Sequence, residues 1–245
     1  MEKLSEAFEE RLQEIETYLD LLEAIERLVR DGTPKIGETP ITTQQQKILY
    51  SSVYLQLYNL VEATVTWCME AVASATADKS RWLPGDLSEL LRREWVRTAA
   101  RTHVDLNDEK RLQSAVDLCE RLIQTLPVMT WTLDRRGAGS WDDSEIEAIT
   151  RRLGCKLTLS TEVYSGIKRN IRDDKPPLVL IKDIRNRLAH GSLSFGECGD
   201  NHTVFDLREI KDRTASYLRA VIAAFQSYVD TYEFLIPVRR PLGGG

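Results

Sequence analysis

Three features of the sequence predict an all-α fold, a helical bundle with a helical and irregular insertion in the middle of the chain. The N-terminal segment carries one apolar stripe at helical spacing, the next long segment is apolar on nearly every side, and a third stripe runs near the C-terminus.

In the first segment Leu4, Phe8, Leu12, Ile15, Leu19, Leu22, Ile25 and Val29 are three or four residues apart, and glutamates fill the opposite face. Asp31-Gly32 and Pro34 end this helix, because glycine tolerates positive φ and proline cannot continue the ladder. The stripe is long enough for at most four heptads, so packing within the domain competes with a coiled coil. Thr42 or Thr43 caps a second helix that ends near Ala75, and its stretch Val53 to Met69 reads as the central helix of a bundle. Glu62 interrupts that stretch. A carboxylate there is either paired or open to a solvent gap, since an unpaired buried charge is costly.

The middle of the chain is less regular. Trp82-Leu83-Pro84-Gly85 reads as a turn, 86–101 as a helix and Asp108 to Leu126 as another, with Leu112, Val116, Cys119 and Ile123 on one stripe. Gly137-Ala138-Gly139 is a loop, and Ser140 to Asp143 offers caps for a short helix ending before Gly154. No linker rich in Gly, Pro or Ser sets this region apart, so 80–160 is an elaboration within a single domain, 1–235. Tyr164 to Ile171 forms a helix, and Pro176-Pro177 starts the next, which runs to about His190. After an irregular connection, Asp206 caps the last long helix, with Ile210, Thr214, Tyr217, Val221, Phe225 and Tyr228 on its stripe. Residues 236–245 read as a flexible tail.

Composition narrows the function. A chain of 245 residues with 42% hydrophobic content can bury one sizeable core. The formal charge of −5 argues against coating duplex DNA by bulk electrostatics and leaves room for a local basic patch. Cys68, Cys119, Cys155 and Cys198 are far apart and the histidines scattered, which is not the spacing of a zinc site; buried free thiols are expected. No cofactor is implied. Glu6, Glu9 and Glu10 interrupt any secretory h-region, and no apolar run reaches membrane-spanning length, so a cytoplasmic protein with no membrane partner is expected.

The chemistry gathers at Ile184-Arg185-Asn186-Arg187-Leu188-Ala189-His190-Gly191. If Ile181, Ile184 and Leu188 face the core, Arg185, Asn186, Ala189 and His190 share the other side, and Asn186 stacks one turn from His190. Spacing alone also fits a plain account, since Arg and His near a helix C-terminus suit its dipole.

The string Arg185-Asn186-Arg187-Leu188-Ala189-His190-Gly191, followed by Leu193-Ser194-Phe195 and Glu197-Cys198-Gly199, resembles a bacterial branch of the HEPN superfamily (higher eukaryotes and prokaryotes nucleotide-binding). That family's motif is an Arg, a polar residue and a His a few positions on. The resemblance extends to Asn59 and Glu62 and covers roughly 42–72 and 160–232. It implies a metal-independent endoribonuclease that leaves 2',3'-cyclic phosphate and 5'-hydroxyl ends. His190 would be the proton-transfer group, Arg185 the phosphate grip and Asn186 an orienting group, with Glu62 holding Arg185 and Asn59 supporting. One suitable histidine per chain implies a homodimer with a composite site, because His103 and His202 read as surface or hydrogen-bonded residues. A toxin or defence effector with an antitoxin or defence-system partner is the expected setting. The alternative is a catalytically quiet HEPN module that binds RNA or dimerises within such a complex. No carboxylate cluster adjoins the motif to hold two magnesium ions.

Lys168, Arg169, Arg172, Lys182 and Arg187 are the expected RNA-binding cluster, joined by Lys175. A second series, Arg81, Arg92, Arg93, Arg97 and Arg101, fits a solubilising surface at least as well. Trp82, Trp95, Trp131 and Trp141 are expected in the core before they are expected on bases.

Overall fold

A computed structural model describes residues 2–78, 81–102, 104–135, 140–200 and 202–241. The described residues form an almost entirely helical bundle, as expected. Helix α1 spans Glu2–Asp31, α2 Thr43–Thr76, α3 Glu89–Ala99, α4 Asp108–Ile123, α5 Asp143–Leu153, α6 Thr161–Lys168, α7 Pro177–Ala189, α8 Phe195–Cys198 and α9 Val204–Asp230. Two short antiparallel strands, β1 (Lys35–Ile36) and β2 (Thr39–Pro40), make a hairpin between α1 and α2.

Helix α2 is the centre of the bundle. It packs against α1, α7, α8 and α9 and buries Val53, Tyr54, Leu57, Tyr58, Leu60, Val61, Val65 and Cys68. Thr42 caps it in a reciprocal arrangement with Gln45, which satisfies two of the backbone donors left open at a helix start. The α1 stripe is buried from Leu4 to Ile25, and only Val29 at its end is exposed. Carboxylates of the α1 polar face reach α9: Arg208 binds Glu16, Asp20 and Glu23 at 2.6–3.0 Å, and Arg219 grips Glu9 with both Nε and Nη2. The α9 stripe is buried throughout. Its cap is Thr203, with Asp206 completing a capping box from inside the helix, so Asp206 is the third helical residue and not the expected cap.

The middle of the chain shows what periodicity leaves open, and the end of the chain departs from the expected tail. The α4 stripe does not meet the core: Leu112, Val116 and Ile123 are exposed, as is Cys119, and only Ser114 is buried. Helix α4 lies at the periphery and packs mainly on α3, so its periodicity reports a helix without reporting which side the core is on. Residues 236–240 are not a free tail. Ile236 N–H donates to the Asp86 carbonyl, Arg239 pairs with the Asp86 carboxylate at 2.8 Å, and Pro237–Arg239 form a 3-10 turn. His103 and the Gly137-Ala138-Gly139 loop lie outside the described residues, as does the end of the tail.

The connection after α7 contains one helical turn, α8, which lies against the start of α2. Ser51 of α2 donates to the Phe195 carbonyl at 2.5 Å. Backbones approach so closely here that a Cβ on Gly199 would overlap the Lys47 carbonyl and Cα. Gly199→Ala is therefore expected to destabilise the protein by about 1–3 kcal/mol. Gly85→Ala, where a Cβ meets nothing within 4 Å, should be near neutral. Urea unfolding of the two variants beside wild type checks this; an unchanged midpoint for Gly199→Ala would contradict the close contact.

Candidate active site

Helix α7 places the motif. Pro177 at its first turn fixes φ where no amide donor is needed, and Leu178, Leu180, Ile181, Ile184 and Leu188 are buried. That face leaves Arg185 and Asn186 half-buried and Ala189 and His190 exposed, as the spacing predicts. The helix ends in a Schellman arrangement. Gly191, at φ +70°, donates to the Leu188 carbonyl and Ser192 to that of Arg187, so the chain turns away directly behind His190.

Arg185 is held from two sides. Its guanidinium carbon stands 4.4 Å from the centre of the Tyr58 ring, and its Nη1 donates to Asn186 Oδ1 at 2.9 Å. A cation on an aromatic face gains about 0.5–2 kcal/mol, more as water is excluded. Tyr58 is a fixed shelf for this contact, being 1% exposed on the central helix. Its hydroxyl lies near the Trp141 backbone without a hydrogen bond of good geometry. Burial, with the Glu62 carboxylate nearby, raises its pKa and keeps it a neutral phenol. Tyr58 was not singled out by the sequence; its place four residues before Glu62 was the available signal.

Glu62 is one turn further along α2, half-buried, and its partner is Arg135 rather than Arg185. Arg135 Nη1 lies 3.3 Å from Glu62 Oε1, and Nη2 donates to Thr66 Oγ1 at 2.8 Å. The expected pairing with Arg185 is replaced because Arg135 arrives from the middle region, which no spacing argument could place. Asn59 is exposed on the same side of α2.

Much of the expected RNA-binding cluster is spent within the molecule. Lys168 binds Asp143 at 2.6 Å and Glu147 at 2.8 Å, and Lys182 binds Asp142 at 2.6 Å. These carboxylates stand at the start of α5 and tie α6 and α7 to it. Burial opposes the Lys168 charge, but the two carboxylates outweigh it and lift its pKa to about 12. Lys175 pairs with Asp183 at 2.7 Å. Arg172 donates to His202 Nδ1 at 2.9 Å and to the Asp200 carbonyl at 3.0 Å. Arg187 is exposed, 3.8 Å from Asp183, and Arg169 is exposed as well. Arg187 and Arg169 are thus the members of the cluster best able to meet a ligand, beside Arg185 of the motif. Of the second series, Arg92, Arg93 and Arg97 line a shallow recess, and Arg81 lies over Trp82 at 4.3 Å. Trp82, Trp95 and Trp141 are core residues, while Trp131 is half-buried.

His202 is buried, as one of the two readings of it required. It stacks edge-on against Tyr54, and burial together with the Arg172 charge depresses its pKa to about 4. Among the described residues, no group of three His, Cys, Asp or Glu side chains is placed to hold a metal ion, and no helix is long and apolar enough to cross a membrane.

A family model described as HEPN_MAE_28990/-like HEPN matches residues 1–234, including the middle region that the motif resemblance left uncovered. No curated protein and no solved structure matches the chain.

The folded protein keeps His202 neutral until about pH 4, whereas the unfolded chain takes up that proton near pH 6.5. Its contribution is therefore complete above pH 6.5 and is lost as pH falls toward 4, amounting to about 2 kcal/mol between pH 7 and 5. His202→Gln, which does not titrate, should remove that share of the pH dependence. Urea midpoints at the two pH values test it, and equal pH slopes for variant and wild type would count against a neutral His202.

Proposed function

The chain belongs to the HEPN_MAE_28990/-like HEPN family, and from that premise we propose that it is a metal-independent endoribonuclease acting through Arg185, Asn186 and His190. The observation that carries the reading is the pairing of a pre-positioned guanidinium, Arg185 on Tyr58, with a solvent-exposed imidazole at the end of the same helix. Family membership supports an RNA substrate, and the lack of a metal-ligand cluster among the described residues agrees with protein groups handling proton and charge.

In the proposed reaction the 2'-hydroxyl of one nucleotide attacks the adjacent phosphorus. A base removes its proton, the bond to the 5'-oxygen breaks, and an acid protonates that oxygen. The products are a 2',3'-cyclic phosphate and a 5'-hydroxyl. His190 is one of the two proton-transfer groups, since imidazole exchanges protons near neutral pH. Arg185 takes the non-bridging oxygens, whose negative charge grows in the pentacoordinate state, through its planar donor fork. Asn186 fixes that fork through its carbonyl oxygen, which leaves its amide nitrogen free to donate to a phosphate. Arg187 and Arg169 extend the electrostatic grip. The second proton-transfer group comes from His190 of a second copy, in a homodimer that brings two α7 ends together. A role as a toxin or defence effector, restrained by an antitoxin or defence-system partner in a reducing cytoplasm, completes the proposal; four free thiols fit that setting.

Labelled single-stranded RNA incubated with the purified protein in EDTA should be cut, with cyclic phosphate ends on the products. Unpaired RNA is favoured because in-line attack needs a backbone that an A-form duplex restrains. His190→Ala should abolish cleavage and retain RNA binding. Arg185→Ala should lower the rate by about 10²–10³ and weaken affinity. Cleavage that requires a metal, or that survives in both variants, would contradict the mechanism. A folded wild type that binds RNA and never cuts it would favour the catalytically quiet module.

A further inference from the structure

Helix α2 carries a polar strip that leads away from the motif. Asn59, Glu62, Thr66 and Glu70 recur at spacings of three and four and are exposed or half-buried along the central stretch of the helix. The strip starts beside Tyr58, the shelf for Arg185, and runs about 18 Å along the helix from Tyr58 to Glu70. At its far end the extended segment 127–135 lies alongside α2. The two enclose a groove of about 560 Å³ lined by Thr66, Glu70, Asp78, Trp131, Thr132 and Arg135, among others. That volume is in the range of small-ligand sites.

The chemistry of the groove is graded. Arg135, pinned by Glu62 and Thr66, supplies a cation at the end nearest the motif. Trp131 supplies an aromatic wall, and its indole N–H donates to Thr76 Oγ1 at 2.8 Å, which sets the ring in place. Glu70 and Asp78 supply carboxylates further in. An anion is favoured only at the Arg135 end, because the carboxylates repel a phosphate from the rest. What fits the inner part is a flat group that stacks and donates hydrogen bonds.

We propose that this groove is a base-recognition subsite for a nucleotide flanking the scissile step, with Arg135 on its phosphate and Trp131 under its base. Taking the ligand to be RNA rests on the ribonuclease reading; the groove itself does not. Stacking on an indole is tolerant of base identity, so selectivity falls to Glu70 and Asp78. Carboxylates accept from exocyclic amino groups, which cytosine, adenine and guanine have and uracil lacks. The elaboration between α2 and α5 thereby sets which sites are cut, and the α7 motif does the cutting.

Binding and cutting test this separately. Short end-labelled RNAs differing only in one flanking cytidine or uridine are titrated in EDTA against His190→Ala, so that they stay intact, with fluorescence anisotropy of the RNA label as the readout. Cytidine is expected to bind about tenfold more tightly than uridine. Adding Trp131→Ala should weaken binding about tenfold. Glu70→Gln should narrow the cytidine preference, and Trp131→Phe should retain most of the affinity, which separates stacking from folding. In otherwise wild-type protein, Trp131→Ala should leave the cyclic phosphate product and flatten the base preference around the cut. Equal affinities and equal preference with and without Trp131 would overturn the subsite, as would binding of an end-labelled arginine-rich peptide and of no RNA. Base-selective binding without any cleavage by wild type would instead remove the ribonuclease reading and leave the subsite standing.

Discussion

The site depends on Arg185 standing over the ring of Tyr58. A guanidinium left in water is mobile and fully hydrated, and both properties weaken it as a phosphate grip. Against Tyr58 the guanidinium is half-buried, and its hydrogen bond to Asn186 restricts how it can turn. The shelf is rigid because α2 is surrounded by α1, α7, α8 and α9 and the ring is buried. The fold thus settles the position of the guanidinium before any ligand arrives, and a pre-set charge needs no reorganisation during reaction.

The same economy governs the other cations. Lys168 and Lys182 hold α6 and α7 to the two aspartates that open α5, and Arg172 holds the segment after α8 through His202. These pairs orient the helix that bears the motif, and they withdraw positive charge from the surface. The grip is left to Arg185, Arg187 and Arg169; Arg135, itself paired with Glu62, stands against the adjoining turn of α2 from segment 127–135. A net negative protein can meet a polyanion this way, through a few placed guanidinium groups in place of a broad basic field.

The helices were legible in the sequence wherever one face is buried. The stripes of α1 and α9 run through the core, and α2 stood out because apolar residues cover most of its circumference. The motif face of α7 followed from Ile181, Ile184 and Leu188 for the same reason. Helix α4 shows the limit: Leu112, Val116 and Ile123 have the same periodicity and face outward, since period fixes a face and tertiary packing decides what the face meets. At the site, Arg185, Asn186 and His190 came from local spacing. Tyr58, Arg135 and Trp131 did not, because they lie far from the motif in the chain and reach it only through folding. For Glu62 the sequence left both a partner and a solvent gap open; the half-buried carboxylate has a partner, and which arginine takes it depends on the path of 127–135.

The most direct test of the central claim is the cleavage rate, at saturating RNA in EDTA, of Tyr58→Phe and Tyr58→Leu. Phenylalanine keeps the aromatic face and removes a buried hydroxyl that makes no good hydrogen bond, so Tyr58→Phe should cut at close to the wild-type rate. Leucine fills the space without the ring's negative face, and its rate should fall about tenfold or more with the circular dichroism spectrum unchanged. A folded Tyr58→Leu that cuts as fast as wild type would contradict the claim that Tyr58 sets Arg185 for its work.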